Sequence, residues 1–380
     1  MGHKLPDKII ILFLTLLIGS LLGGCGEFVG ILDSHNPDTG LSEFRLYLSD
    51  DQFNTLQDSV SLDIYAHCRY ESNEGEGRGE MRIRGFTSRM LPKKSFTLRR
   101  EVNGEEIKIA LDAGGAPWIS YSLIMYAYSL AGLPYLELSP ISLFMNDEYL
   151  GYYNQLPLYD ESVDDYFGEK GELYKIRAFD LGRDVPAESM SEKKYPHDDN
   201  FSSLNRYLVN AAHMSTEDWV DWAEANVDLE DLAAYMVIRD YFGMADTYET
   251  NFYVYAGDKY RILPWDNDHY YQYTPVGGNN ILTTRMLESE EFQDIYRDLF
   301  NRYFLQAGDN NIIDQLEGYS ESLYSLLGAA VDVEPFFYLT SDAFEAEKQS
   351  IEVFFNTRTS DILSDPYWAD FFTDPDDASR

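Results

Sequence analysis

Cysteine is scarce in this chain: two in 380 residues, Cys25 and Cys68, too few for a disulfide framework. Positive charge is scarce as well. With 29 Lys and Arg against 66 Asp and Glu, the formal net charge is −37, which excludes nucleic acid and anionic lipid surfaces as natural partners because both are repelled. No internal repeat is found, so a solenoid or propeller is not expected. What the chain does have is apolar and aromatic substance, 44% and 15% of residues, enough for a large core and against disorder.

The first 24 residues read as a secretory signal. Lys4 and Lys8 supply the charged start, and Ile9 to Leu22 is an apolar run too short to span a bilayer comfortably. It ends at Leu22-Gly23-Gly24-Cys25, which resembles a bacterial lipobox and implies lipid on Cys25, a membrane anchor and an extracytoplasmic location; an uncleaved anchor and an ordinary signal peptide are the other readings, and both keep the rest of the chain outside the cytoplasm. Without residues 1–24 the charge becomes −38, since Lys4, Asp7 and Lys8 leave together. Cys68 then has no intramolecular partner and is expected to be buried and inert in a strand, in preference to a metal role with His67. The length that follows suggests two lobes.

Residues 25–40, with Asp33 to Gly40 rich in turn formers, form a tether. Period-two alternation predicts strands at Phe44 to Leu48, Leu62 to Tyr70, Glu80 to Arg84 and Lys93 to Arg99. In the last of these it places Lys94 on the inner face with Phe96 and Leu98, and Lys93 on the outer. A lysine aimed inward snorkels out or meets an anion, so Lys94 is the phosphate-binding candidate. Trp118 to Leu130 reads as a buried helix, Ile141 to Tyr153 as a hairpin, and Leu173 to Arg177 as a strand. Asp180 to Asn200 is expected to be irregular. Helices are predicted at Phe201 to His213, Thr216 to Glu224, and Leu229 to Phe242 with Asp228 as N-cap, then at Ser289 to Phe304, Ile312 to Leu327 and Ser341 to Thr357. Asp361 to Arg380 is expected to be a docked tail with a solvated acidic face, with the lobe boundary near residue 160.

The most informative chemistry lies between the last two strands. Asn251 to Tyr255 and Tyr260 to Pro264 form a hairpin, entered through Asp246-Thr247-Tyr248-Glu249-Thr250-Asn251 and left through Trp265-Asp266-Asn267-Asp268. Hairpin ends are spatial neighbours, so this layout brings Asp246, Asn251 and Asp266 together. An Asp, an Asn five positions on, and a later Asp at a strand end form the set with which kinases position a hydroxyl and hold metal-bound ATP. Taken alone, the same acids also suit turn capping. Trp265 reads as a core aromatic.

Four segments in order resemble the CotH-type spore-coat kinase family over nearly the whole chain after the signal. They are Met81 to Ser88 with Pro92 to Phe96, Leu143 to Tyr153, Asp246 to Tyr255, and Leu263 to Asp268; Leu282 to Phe292 is similar to the family's next helix. The resemblance implies an α+β, atypical protein-kinase-like two-lobed fold, with a β-rich N-lobe over residues 41–160 and a mainly helical C-lobe over 161–380. It implies transfer of phosphate from ATP, with Mg2+ or Mn2+, to Ser or Thr of secreted or coat proteins, by a chain expected to be a monomer. Position by position, Asp246 becomes the catalytic aspartate and Asn251 and Asp266 the metal ligands, with Asp268 a second ligand or a support. Lys94 becomes a phosphate contact, and Arg84 and Gly85 part of the loop over the nucleotide.

The chain departs from the family pattern in three places. The Arg and Asp usual near the start of the helix at Trp118 are missing, Pro157 stands where a glutamate is usual, and the nucleotide loop reads Gly85-Phe86-Thr87-Ser88. The lysine therefore lacks an evident carboxylate partner, for which Glu105, Glu106, Glu137 and Glu148 are candidates. Two other readings use the same residues: a catalytically silent kinase-fold lipoprotein that binds a protein or glycan, and a metal-dependent glycosyltransferase built on Asp266-Asn267-Asp268.

Overall fold

The computed structural model describes residues 37–372, apart from 59, 61, 86–87, 103, 115–117, 178–185, 245–249, 268–275, 279, 307–310 and 337–338. Cys25, Asp246, Asp268, the signal and most of the tether lie outside the described residues. The fold is mixed, β-rich in its N-terminal part and helical in its C-terminal part. It divides into two units. One comprises Met1–Gly114, Ser139–Gln155 and Ala329–Thr340, the other Gly115–Leu138, Leu156–Gly328 and Ser341–Arg380. Each unit is thus assembled from separate stretches, not from one block on either side of residue 160.

The first unit contains a closed barrel. Its strands are β1 (Ser42–Tyr47), β2 (Ala66–Ser72), β3 (Gly75–Ile83), β4 (Phe96–Val102), β5 (Glu105–Ala113), β6 (Ser139–Met145) and β7 (Glu148–Pro157), in the order β1-β2-β3-β4-β5-β7-β6. Alternate side chains fill its interior: Phe44 and Leu46, Ala66, Cys68 and Tyr70, Met81 and Ile83, Phe96 and Leu98, Ile109 and Leu111. Helix α1 (Asp50–Asp58) follows β1 and buries Leu56 in this cluster. Closure pairs β1 with β6 in parallel, Leu46 opposite Met145. Cys68 is free and buried, and burial pushes its thiol up to about 12, as inertness requires.

Strand β5 was not among the expected strands, although Glu106 and Lys108 on its outer face alternate with the inward Ile109 and Leu111; its first two residues are exposed. Strand β4 begins only at Phe96. Lys94 and Ser95 are irregular, and Ser95 and Phe96 are buried in succession because the Ser95 hydroxyl accepts the Ala113 N–H at 2.9 Å. Period-two alternation therefore does not run back to the lysines.

The second unit opens with α2 (Ser120–Leu130) and α3 (Ser162–Phe167). A sheet of order β11-β10-β8-β9 is formed by β8 (Glu172–Ile176), β9 (Ser191–Tyr195), β10 (Phe252–Ala256) and β11 (Tyr260–Pro264), with the short α4 (Ala187–Met190) before β9. Strand β9 corrects the expected irregular stretch. It hides a charge: buried Lys193 reaches Glu172 and Asp198, each at 2.7 Å, a pattern that hydrophobic periodicity cannot register.

Helices α5 (Ser202–His213), α6 (Thr216–Asn226) and α7 (Leu229–Phe242) follow. Asp228 caps α7 by accepting the Asp231 N–H, and Gly243 ends it in the left-handed region at φ 65°. The remainder is α8 (Ile281–Thr284), α9 (Glu290–Phe300) with a π turn over Asn301–Leu305, α10 (Ile313–Asp332), α11 (Ser341–Ser364) and α12 (Pro366–Phe372). The tail docks through buried Trp368, which stacks on Phe372 and packs at a tilt against Phe300.

Candidate active site

The hairpin β10–β11 positions the acid and amide. Phe252 pairs with Pro264, so Asn251, just before β10, and Asp266, just beyond β11, stand at the same end of the ladder. Both take the left-handed conformation, with φ 58° and 57°. Asn and Asp are the non-glycine residues that tolerate it best, and such backbone cost gathers at functional sites. The Thr250 hydroxyl donates to the Ile176 carbonyl at 3.4 Å and ties the entrance to β8. The Asp266 N–H donates to the Tyr121 hydroxyl at 3.3 Å and ties the exit to α2. Asp266 is exposed and Asn251 half-buried.

Asn267, next along the chain, is 1% exposed, and neither its amide oxygen nor its amide nitrogen has a hydrogen-bond partner among the described residues. A buried amide in that state costs about 1–3 kcal/mol, so its place beside Asp266 fits a site that receives a polar group. The oxygen donors of Asn251 and Asp266 suit a hard divalent cation such as Mg2+ or Mn2+. Among the described residues no three His, Cys, Asp or Glu side chains cluster as metal ligands.

The start of α2 lacks a cap of its own, since the side chain of Ile119 supplies none. A distant carboxylate does so instead. Glu347 of α11 accepts the N–H groups of Trp118 and Ile119, the latter at 3.1 Å, and the Ser120 hydroxyl at 3.3 Å. Burial pushes its carboxyl up, opposed by those donors. An anion thus holds the helix start where the usual Arg and Asp are missing, and Tyr121 in the same turn braces Asp266.

In the barrel unit the lysines exchange places with respect to expectation. Lys94 does not point into the core; its ammonium, half-buried, donates to the Arg89 carbonyl at 2.6 Å. Lys93 is the inward one. Its Nζ lies 3.0 Å from a Glu334 carboxylate oxygen and donates to the Gly114 carbonyl at 2.7 Å, with the Tyr153 ring 5.1 Å away. The two side chains are 3% and 0% exposed. Burial pushes the Lys93 ammonium down and the Glu334 carboxyl up, and the attraction between them opposes both shifts.

Glu334 also accepts the Tyr152 N–H at 3.0 Å. Gly151, at φ 101°, lets it approach, because a Cβ there would lie 2.5 Å from the carboxylate. The buried carboxylate partner thus belongs to Lys93, not Lys94, and it is Glu334, in the segment between α10 and α11, not one of Glu105, Glu106, Glu137 and Glu148. No local signal marked it. Arg84 and Gly85 form the turn after β3: Arg84 lies 3.8 Å from Asp112, and Gly85 takes φ 104° with its carbonyl accepting Arg89 Nε at 2.7 Å.

The model of the family described as "CotH kinase protein" matches residues 81–362. The chain belongs to the CotH kinase family. No curated protein matches it. Among solved structures, the complex of HipA, HipB and operator DNA from the Shewanella oneidensis MR-1 toxin–antitoxin system is similar at 11% identity and a TM-score of 0.34. That match covers 73% of this chain and 65% of the other, just under two-thirds. Within the second unit Asn251 and Asp266 stand at one end of the β10–β11 hairpin, and within the barrel unit Lys93 is paired with Glu334.

Proposed function

We propose that this protein is an extracytoplasmic, lipid-anchored kinase of two-lobed, protein-kinase-like fold that transfers the γ-phosphate of ATP to Ser or Thr hydroxyls of secreted or coat proteins. Family membership supports the reaction class. The observation that carries the site is the placement of Asn251 and Asp266, both left-handed, at one end of a hairpin beside the unpartnered Asn267 amide. The buried Lys93–Glu334 pair of the barrel unit supports the kinase reading, since kinases fix their phosphate-contacting lysine with a carboxylate.

Asn251 and Asp266, with Asp268, would hold a Mg2+ or Mn2+ ion, which would supply positive charge to neutralise the ATP phosphates. Lys93 takes the phosphate-contact role assigned above to Lys94, oriented by Glu334. Arg84 and Gly85 contribute to the turn over the nucleotide. Asp246 orients the incoming hydroxyl and accepts its proton. The hydroxyl oxygen bonds to the γ-phosphorus, the bond from that phosphorus to the bridging oxygen breaks, and ADP leaves with the electron pair.

Calorimetric titration of the full chain with ATP and Mn2+ tests the site, alongside Asp266→Ala. Micromolar binding lost in the variant is the expected result. A folded chain that binds no ATP would overturn the kinase reading in favour of a silent, partner-binding lipoprotein. Where binding is present, Asp246→Asn is expected to abolish phosphate transfer with melting unchanged.

A further inference from the structure

Asp266 stands at φ 57°, a region that crowds the Cβ of any residue but glycine. A residue stays there only where its surroundings over-determine it. On either side of Asp266 the chain is buried, Trp265 and Asn267 both lying in the interior, while Asp266 itself is exposed. Trp265 packs edge-on against Tyr253 at 5.6 Å. The Asp266 backbone has a fixed point of its own as well, since its N–H donates to the Tyr121 hydroxyl at 3.3 Å. Tyr121 is buried and is the second residue of α2.

What holds Tyr121 is the start of α2, and that start is held from α11. The first turn of α2, Ser120 to Leu123, contains no acidic residue, and Ile119 before it gives no side-chain cap. Glu347 accepts the Trp118 and Ile119 N–H groups and the Ser120 hydroxyl in their place. Phe344, three residues earlier on α11, meets the Trp118 ring edge-on at 5.5 Å. All of these residues belong to the second unit. Mg2+ demands near-ideal octahedral geometry, so a ligand that leaves its place is felt in affinity. We propose that Tyr121 is a positioning residue of the metal site, acting through the Asp266 backbone, and that Glu347 holds Tyr121 in place through the first turn of α2. The assignment rests on the kinase reading. It gives that site a support from two helices remote in sequence from both acid motifs.

The test is calorimetric titration of the full chain with ATP and Mn2+ for wild type, Tyr121→Phe, Glu347→Ala, Glu347→Gln and the double variant Tyr121→Phe with Glu347→Ala. Thermal melting of each without ligand accompanies it. Tyr121→Phe removes one hydroxyl and leaves the ring. Loss of one neutral hydrogen bond predicts an affinity about three- to tenfold lower, with melting and binding stoichiometry unchanged. Glu347→Ala is expected to melt lower and to lose affinity, and Glu347→Gln, whose oxygen still accepts from the turn, to recover most of that affinity. The double variant should lose no more affinity than the weaker-binding of its two singles, because both act through one contact. Wild-type affinity in Tyr121→Phe would overturn the proposal and leave the kinase reading standing. So would a reduced stoichiometry at wild-type affinity, which marks a purely structural role, and so would losses that multiply in the double variant. Absence of ATP binding by the wild-type chain would overturn both.

Discussion

At the scale of single residues, the pair Lys93–Glu334 shows how charge is kept inside a barrel. Each group alone is costly to bury, and the pair stands because attraction, the Gly114 carbonyl and the Tyr152 N–H together offset desolvation. Glu334→Ala should therefore cost about 3–5 kcal/mol in urea unfolding, because it leaves a buried ammonium uncompensated. The double variant Lys93→Met with Glu334→Leu should recover most of that loss and, on the proposed phosphate-contact role of Lys93, should not bind ATP. A Glu334→Ala chain as stable as wild type would show that Lys93 sheds its proton without penalty. None of this was legible from the lysine strand, where the alternation of Phe96 and Leu98 projects Lys94 inward. The projection fails because β4 starts at Phe96 and the two residues before it follow the turn.

At the scale of elements, the N-terminus of α7 collects negative charge. Asp228 caps it, and Asp231 sits in its first turn beside Arg261 of β11, at 3.2 Å. Arg261 also reaches Asp228 at 3.1 Å, and Glu169. Burial, then the Asp228 charge, pushes the Asp231 carboxyl up to about 6, in spite of Arg261. A carboxyl whose folded value exceeds its unfolded value favours the folded state when protonated. Its contribution is thus fully present below about pH 4 and is lost as pH rises through about 6. Asp231→Asn is expected to be more stable relative to wild type at pH 7 than at pH 4, measured by urea unfolding at both. A difference that shrinks toward pH 7 would count against the assignment. The cap itself was legible, since Asp228 precedes a helical pattern; the crowding of Asp231 was not, because Arg261 and Glu169 arrive from other elements. Strand β9 stayed hidden for a similar reason, with Lys193 satisfied by partners instead of patterned as apolar.

At the scale of the whole molecule, a net charge of −37 means that compaction works against self-repulsion. Raising salt from about 0.01 M to about 0.1 M shortens the screening length from about 30 to about 10 Å, so the melting temperature should rise over that range in calorimetry. A flat or falling melting temperature would mean that ion pairs such as those of Arg261 outweigh the repulsion. The sequence by itself determined the helical C-terminal elements, most barrel strands, the hairpin that joins Asn251 to Asp266, and the family. Those features are local periodicities, caps and short spacings, which one stretch of chain carries within itself. Only the tertiary structure decided which lysine is buried, that Glu334 is its partner, that Glu347 caps α2, and that Tyr121 holds the Asp266 N–H. Each of those joins residues far apart in the chain. The energy that selects them, desolvation balanced by one particular partner, exists only once the chain has folded.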